Sequence, residues 1–159
     1  MRVATVAILA CAAAAAGAQD GELPHAGDLA TVAAQAREHR TPVMLAFTQA
    51  SCRFCQIAKR DYLVPLHRNP AWRERVVIRE VDLDRGTPLR DFGGQTVTPR
   101  EFAHRYRVSR VPTVIVVDDK GAVLSSPVTG LLADDFYQLY LERAIEEGLY
   151  RLRGRNPGG

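Results

Sequence analysis

Lysine and cysteine are both scarce in this 159-residue chain. Lys59 and Lys120 are its only lysines; arginines carry the rest of the positive charge, scattered singly, and formal net charge is +3. Without a basic block there is nothing to track a phosphate backbone, so a nucleic-acid role has no support. The cysteines are Cys11, Cys52 and Cys55. A structural zinc site needs four ligands. No second pair accompanies Cys52 and Cys55, and His25, His39, His67 and His104 show no ligand spacing, so no metal site is expected. The apolar run from Val3 to Ala16 falls short of the ~20 residues needed to span a bilayer.

What is present fits one globular domain. Hydrophobic residues make up 47% and charged residues 25%, enough for one real core. Residues 1–18 read as a cleaved signal peptide: Met1-Arg2 starts it, the alanine-rich run follows, and Ala16-Gly17-Ala18 fits small-residue cleavage before Gln19. Lipid attachment at Cys11 is the alternative, weakened by the short segment before it. Residues 19–27 are expected as a flexible lead-in, 28–149 as the folded domain and 150–159 as a flexible tail. Cleavage removes Cys11 and leaves two cysteines three apart. A bridge that closes so small a loop constrains little of the unfolded chain. Such a pair suits opening and closing better than stapling, which favours redox use.

The elements follow from periodicity and punctuation. Asp28 caps a helix carrying Leu29, Val32, Ala33 and Ala36, ending near Arg40 before Thr41-Pro42. Pro42 to Phe47 is a continuously apolar run, expected as a buried strand. It leads directly to Ser51-Cys52-Arg53-Phe54-Cys55. A helix from Cys55 to Leu66 should turn Ile57, Ala58, Tyr62 and Leu66 inward and Lys59 and Arg60 outward, with Pro65 bending or ending it. Asn69-Pro70 starts a short helical turn, and Val76 to Asp82 forms the second strand. Residues 83–97 read as loop. Thr98-Pro99-Arg100-Glu101 is a capping box opening another helix. Thr113 to Val117 is the third strand, and Asp118-Asp119-Lys120-Gly121 turns it into a fourth at Ala122 to Ser125. A last amphipathic helix is expected from about Ala133 to Glu147, with Asp134 and Asp135 in its first turn.

This order, with the Cys-x-x-Cys after the first central strand and Val111-Pro112-Thr113 before the third, closely resembles the thioredoxin fold over residues 28–147. Gly121 and Gly130 match the glycines of that family's following hairpin. The implied class is α/β, a central mixed β-sheet flanked by helices. The stretch from Gly94 to Leu132 is most similar to exported SoxW-type periplasmic thioredoxins. Three features depart from thioredoxin proper. Ser51 stands where a tryptophan precedes the first cysteine, the dipeptide is Arg53-Phe54 rather than Gly-Pro, and the buried carboxylate six residues before that cysteine falls at Ala46. The usual proton route to the second cysteine is therefore missing.

The resemblance implies a periplasmic thiol–disulfide oxidoreductase whose only redox group is the Cys52–Cys55 disulfide, with no cofactor. Cys52, at the first turn of its helix, is the implied nucleophile, since unpaired amides and the helix dipole favour its thiolate. Cys55 is the implied resolving cysteine. Pro112, cis by resemblance, would present the Val111 backbone to an extended substrate. Arg53 could stabilise the thiolate or simply be solvated, and Phe54 could touch a partner or pack on the fold. Potentials of such sites span roughly −270 to −120 mV, wide enough to reverse direction. The short span from Cys55 to Pro112 excludes the inserted helical domain of DsbA-type oxidants. With no N-terminal dimerisation domain to read before residue 28, a DsbC-type isomerase is not the expectation. The expectation is a monomeric reductase of exported protein disulfides, recharged by a membrane electron donor of the DsbD or CcdA type. The competing readings are a thiolate metallochaperone for copper or haem maturation, and a thioredoxin-fold interaction module without redox turnover.

Overall fold

The computed structural model describes residues 22–131 and 136–154. The expected leader with Cys11, the start of the last helix at 133–135 and the final five residues lie outside that range. Asp28 caps α1 (Leu29–His39) by accepting the Thr31 amide, and Arg40 closes it in a left-handed conformation. β1 (Val43–Thr48) is buried along its whole length, as a continuous apolar run requires of a central strand. β1 pairs in parallel with β2 (Val77–Asp82) and antiparallel with β5 (Thr113–Val117), and β5 pairs with β6 (Val128–Thr129). The resulting order β2-β1-β5-β6 is the mixed sheet of a thioredoxin fold.

Between β1 and β2 a helical segment runs as α2 (Arg53–Ile57), a π-helical stretch (Ala58–Leu63) and α3 (Val64–Arg68), followed by α4 (Pro70–Arg73), which Asn69 caps. The helix was expected to end near Leu66, yet it passes through Pro65. A proline ring cannot sit under the carbonyl four residues back in a regular α turn. The wider π turn just before it makes that room.

Four other expectations are corrected. The lead-in is docked where it is described: Leu23 and Ala26 are buried. The Ala26 amide donates to the Glu80 carbonyl and the Glu80 amide to that of Pro24. An open β2 edge and two apolar side chains are reason enough for it to lie down. Residues 83–97 hold a small ribbon, β3 (Leu89–Arg90) with β4 (Thr96–Val97), because Asp91 Oδ1 accepts the Gly93 and Gln95 amides and closes the turn. Ala122 to Ser125 form no strand, only a bridge from Val123 to Val117; β6 pairs instead. Pro127 explains the gap, having no amide to give the ladder. Finally, α6 (Tyr137–Gly154) runs through the expected tail at 150–154. Its buried stripe, Tyr137, Leu141, Ala144, Ile145 and Leu149, continues to a half-buried Leu152, and an Arg151–Glu147 pair supports the last turn.

α5 (Pro99–Arg105) opens with the full reciprocal capping box of Thr98 and Glu101. Alternation along the strands divides the core in two. Met44, Ala46, Ile78, Val114 and Val116 face the 53–68 helical segment and α6. Val43, Leu45, Phe47, Val81, Ile115 and Val117 face α1 and α5.

Candidate redox site

The site is assembled at the end of β1, where the chain stops being strand and becomes helix. The Cys52 amide donates to the Gln49 carbonyl, and Cys52 itself is the N-cap of α2 in extended conformation. Its Sγ lies 3.1 Å from the Cys55 amide nitrogen, which donates to it. An N-cap position leaves the first-turn amides without helical partners, and the Cys52 sulfur accepts one of them, that of Cys55.

Cys52 and Cys55 are joined in a disulfide with Cα atoms 5.2 Å apart. Their environments differ. Cys52 is partly exposed at the helix start, whereas Cys55, on the next turn, is completely buried under it. Facing the pair, the Val111–Pro112 peptide is cis, and the Val111 carbonyl oxygen lies 3.9 Å from Cys52 Sγ. That loop is fixed from both sides: the Thr113 hydroxyl donates to the Arg110 carbonyl, and the Gly130 amide donates to the Pro112 carbonyl at 2.7 Å. A backbone carbonyl beside a partly exposed sulfur is an acceptor against which an extended peptide can be aligned.

The sequence-predicted residues do not all converge. Cys52, Cys55, Val111 and Pro112 come together. Arg53 and Phe54 point to solvent, and Phe54 is 60% exposed, large for an aromatic ring beside a reactive centre.

One group of residues was not foreseen. Glu80, in the middle of β2, is 4% exposed. It accepts the Thr48 hydroxyl at 2.6 Å, pairs with Lys59 Nζ at 2.9 Å, and has His25 Nδ1 3.6 Å from its second oxygen. Lys59, expected to face outward, turns inward to this carboxylate. Its signal in the sequence was slight: one acid interrupting the apolar strand Val76 to Val81, and one of only two lysines four residues after Cys55.

Comparison with known proteins agrees with this architecture. Residues 29–145 match the family described as thioredoxin-like domain. No curated protein matches the chain in sequence. Among solved structures, thioredoxin O2 from Arabidopsis thaliana in its oxidised state is similar over 82% of this chain and 97% of its own, at TM-score 0.54 and 18% identity. Oxidised mitochondrial thioredoxin 3 from Saccharomyces cerevisiae is similar over 79% and 94%, at 0.53 and 16%. Spinach chloroplast thioredoxin f, in its short form, is similar over 82% and 98%, at 0.51 and 16%. Identities this low speak for the fold alone.

Proposed function

The chain belongs to the thioredoxin-like domain family, and on that premise we propose that it is a thiol–disulfide oxidoreductase that reduces disulfides of exported proteins. The observation that carries this reading is the unequal pair: a disulfide with one sulfur half exposed at a helix N-cap and the other buried one turn on. A structural bridge gains nothing from that asymmetry. An exchange reaction needs it, because only the outer sulfur should meet the partner.

In the reduced protein the Cys52 thiolate attacks one sulfur of the partner disulfide. A Cys52–partner bond forms, the partner's own S–S bond breaks, and its second sulfur leaves as a thiolate that takes a proton. Cys55 then loses its proton and attacks Cys52. The Cys52–Cys55 bond forms, the mixed disulfide breaks, and two electrons have passed to the partner. The Val111 backbone is the proposed rest for the partner segment; Phe54, exposed in the first turn of α2, is a proposed further contact. The reductase direction, the periplasmic setting of a SoxW-type protein and a membrane dithiol donor belong to the same proposal, supported by the alanine-rich leader at residues 1–18. An oxidising compartment demands such a donor to keep the pair reduced.

The test is a trap. Cys55→Ser, expressed with its leader, should accumulate disulfide-linked adducts on Cys52 that vanish with added dithiothreitol and are absent from Cys52→Ser. A Cys55→Ser protein that forms no adducts, or a potential at the oxidant end of the range in glutathione titration, defeats the reductase reading.

A further inference from the structure

Three carboxylates are buried among the described residues: Asp91, Asp118 and Glu80. Local structure accounts for the first two. Asp91 closes the β3–β4 turn and meets Arg105, and Asp118 accepts the Lys120 and Ala122 amides of its own turn. Nothing local accounts for Glu80. It sits mid-strand, where an apolar residue would serve the core, and it draws an ammonium group in with it. A buried ion pair is seldom more stabilising than well-packed hydrocarbon of the same volume, so stability alone does not explain it.

Its position suggests what does. Glu80 is the register partner of Ala46, and both lie on the sheet face beneath the helical segment that begins at Cys52. Thr48, its hydroxyl donor, is four residues before Cys52 on β1. Lys59, its cation, follows Cys55 by four residues, the spacing that makes neighbours on one helix face. The cluster is thus held by the two segments that hold Cys55. It also reaches outward: Glu80 and His25 line a cavity of about 90 Å³ at the β2 edge, with Asp82 and Arg85 among its walls. One water needs only ~10–15 Å³ of such space.

We propose that Glu80, acting through Lys59, takes up the proton Cys55 must lose before it attacks Cys52, a role left vacant by Ala46. The inference rests on the exchange reaction proposed above. In the resolving step Lys59 passes an ammonium proton to Glu80 Oε1 and takes the Cys55 thiol proton in its place. The Cys55 thiolate then forms its bond to Cys52 Sγ, and the partner sulfur leaves with the electron pair of the broken mixed disulfide and is protonated by water. The proton on Glu80 departs through the cavity beside His25. The charged and titratable groups facing Glu80 are Lys59 from the helical segment and His25 from the docked lead-in. Asp82 and Arg85 line the same cavity from the end of β2 and the turn after it. On this view the docked lead-in is part of the site and not a wrapping for it.

Reaction of the reduced full-length protein with dithiobis-nitrobenzoate separates the two steps. A first thionitrobenzoate is released when Cys52 attacks, and a second when Cys55 resolves the adduct. Glu80→Gln should slow the second release at neutral pH by at least about tenfold, within the ~10²–10⁴ that proton transfer by a placed side chain contributes. Its rate should then climb with pH, while the first release stays within about twofold of the parent. Should a stranded Lys59 ammonium prevent Glu80→Gln from folding, Glu80→Gln/Lys59→Met keeps neither charge and should give the same result. A second release unchanged in rate and pH profile, or both releases slowed alike, overturns the relay. A parent protein that releases only one equivalent overturns the exchange reaction itself, which is a different failure.

Discussion

The two faces of the central sheet are made from alternate residues of the same strands, yet they are chemically unlike. Toward α1 and α5 the contacts are hydrocarbon and aromatic: Val43, Leu45, Phe47, Ile115 and Val117 meet Leu29, Val32 and Phe102. Phe47 and Phe102 stack with centroids 6.2 Å apart, and Tyr106 meets Phe102 edge-on at 5.1 Å. Toward the 53–68 segment the face is interrupted. Glu80, Lys59 and Thr48 place hydrogen-bonded charge in the interior. Both faces carry an apolar cluster, and the one beneath the helical segment that bears the cysteines buries charge as well. Position on a pleated strand decides which face a residue joins, because neighbours in sequence point to opposite sides.

The comparison can be broken by substitutions on the hydrocarbon side. Phe102→Ala removes a fully buried ring and should cost about 3–5 kcal/mol in urea denaturation. Its thiol-exchange rate per folded molecule should match the parent; a fall beyond the unfolded fraction would show that the faces are not separable. A smaller loss is expected at Gly121, whose φ of +82° is left-handed. An added Cβ would lie 2.7 Å from Phe92 Cδ2 and from the Tyr106 hydroxyl, which itself donates to the Gly121 carbonyl. Gly121→Ala should cost roughly 1–3 kcal/mol from backbone conformation and displaced rings, again without change at the cysteines.

The smallest effect sharpens the contrast by pH. Burial, aided by Arg79, Arg73 and Arg68, lowers the pKa of His67 on α3 below the ordinary histidine value. As pH falls past that ordinary value, the unfolded chain binds the proton first. Stability present above it is therefore lost until the folded value is passed. On the other side, burial tends to raise the Asp91 carboxyl. Its hydrogen bond with Arg105 and the Gln95 and Gly93 amides prevail, and it titrates below the usual carboxylate value. Stability held by Asp91 is present above that value and fades only as pH falls through the carboxylate range. Acidification should thus weaken the helical side first and the ribbon later. His67→Gln should flatten the stability–pH curve between about 7 and 5, and Asp91→Asn only below about 4. Equal flattening in both windows by either substitution would show that these groups do not act separately.

Much of the fold was legible because its signals are local. The Asp28 cap, the Thr98–Glu101 box, the buried run from Val43 to Thr48 and the turn at Asp118 each state their structure within a few residues. Signals that depend on partners were not legible. Ala122 to Ser125 was expected as the strand beside β5, yet Val128-Thr129 makes the ladder, on the far side of Pro127, which has no amide to give. The lead-in seemed unstructured since two apolar residues, Leu23 and Ala26, promise little until an open β2 edge is available.

By itself, then, the sequence determined the main helices and the three central strands and the Cys52-to-Cys55 pair at a helix start, while its resemblance to a family put the Val111-Pro112-Thr113 stretch opposite that pair. Caps, periods and short motifs act over one or two turns of chain. Tertiary structure alone decided that Cys52 would stay half exposed while Cys55 was sealed, and that Lys59 would turn inward to Glu80. Those outcomes depend on strand register and on the crossover that lays one helix over two strands. Burying a charge is tolerable only where such long-range packing supplies its partner.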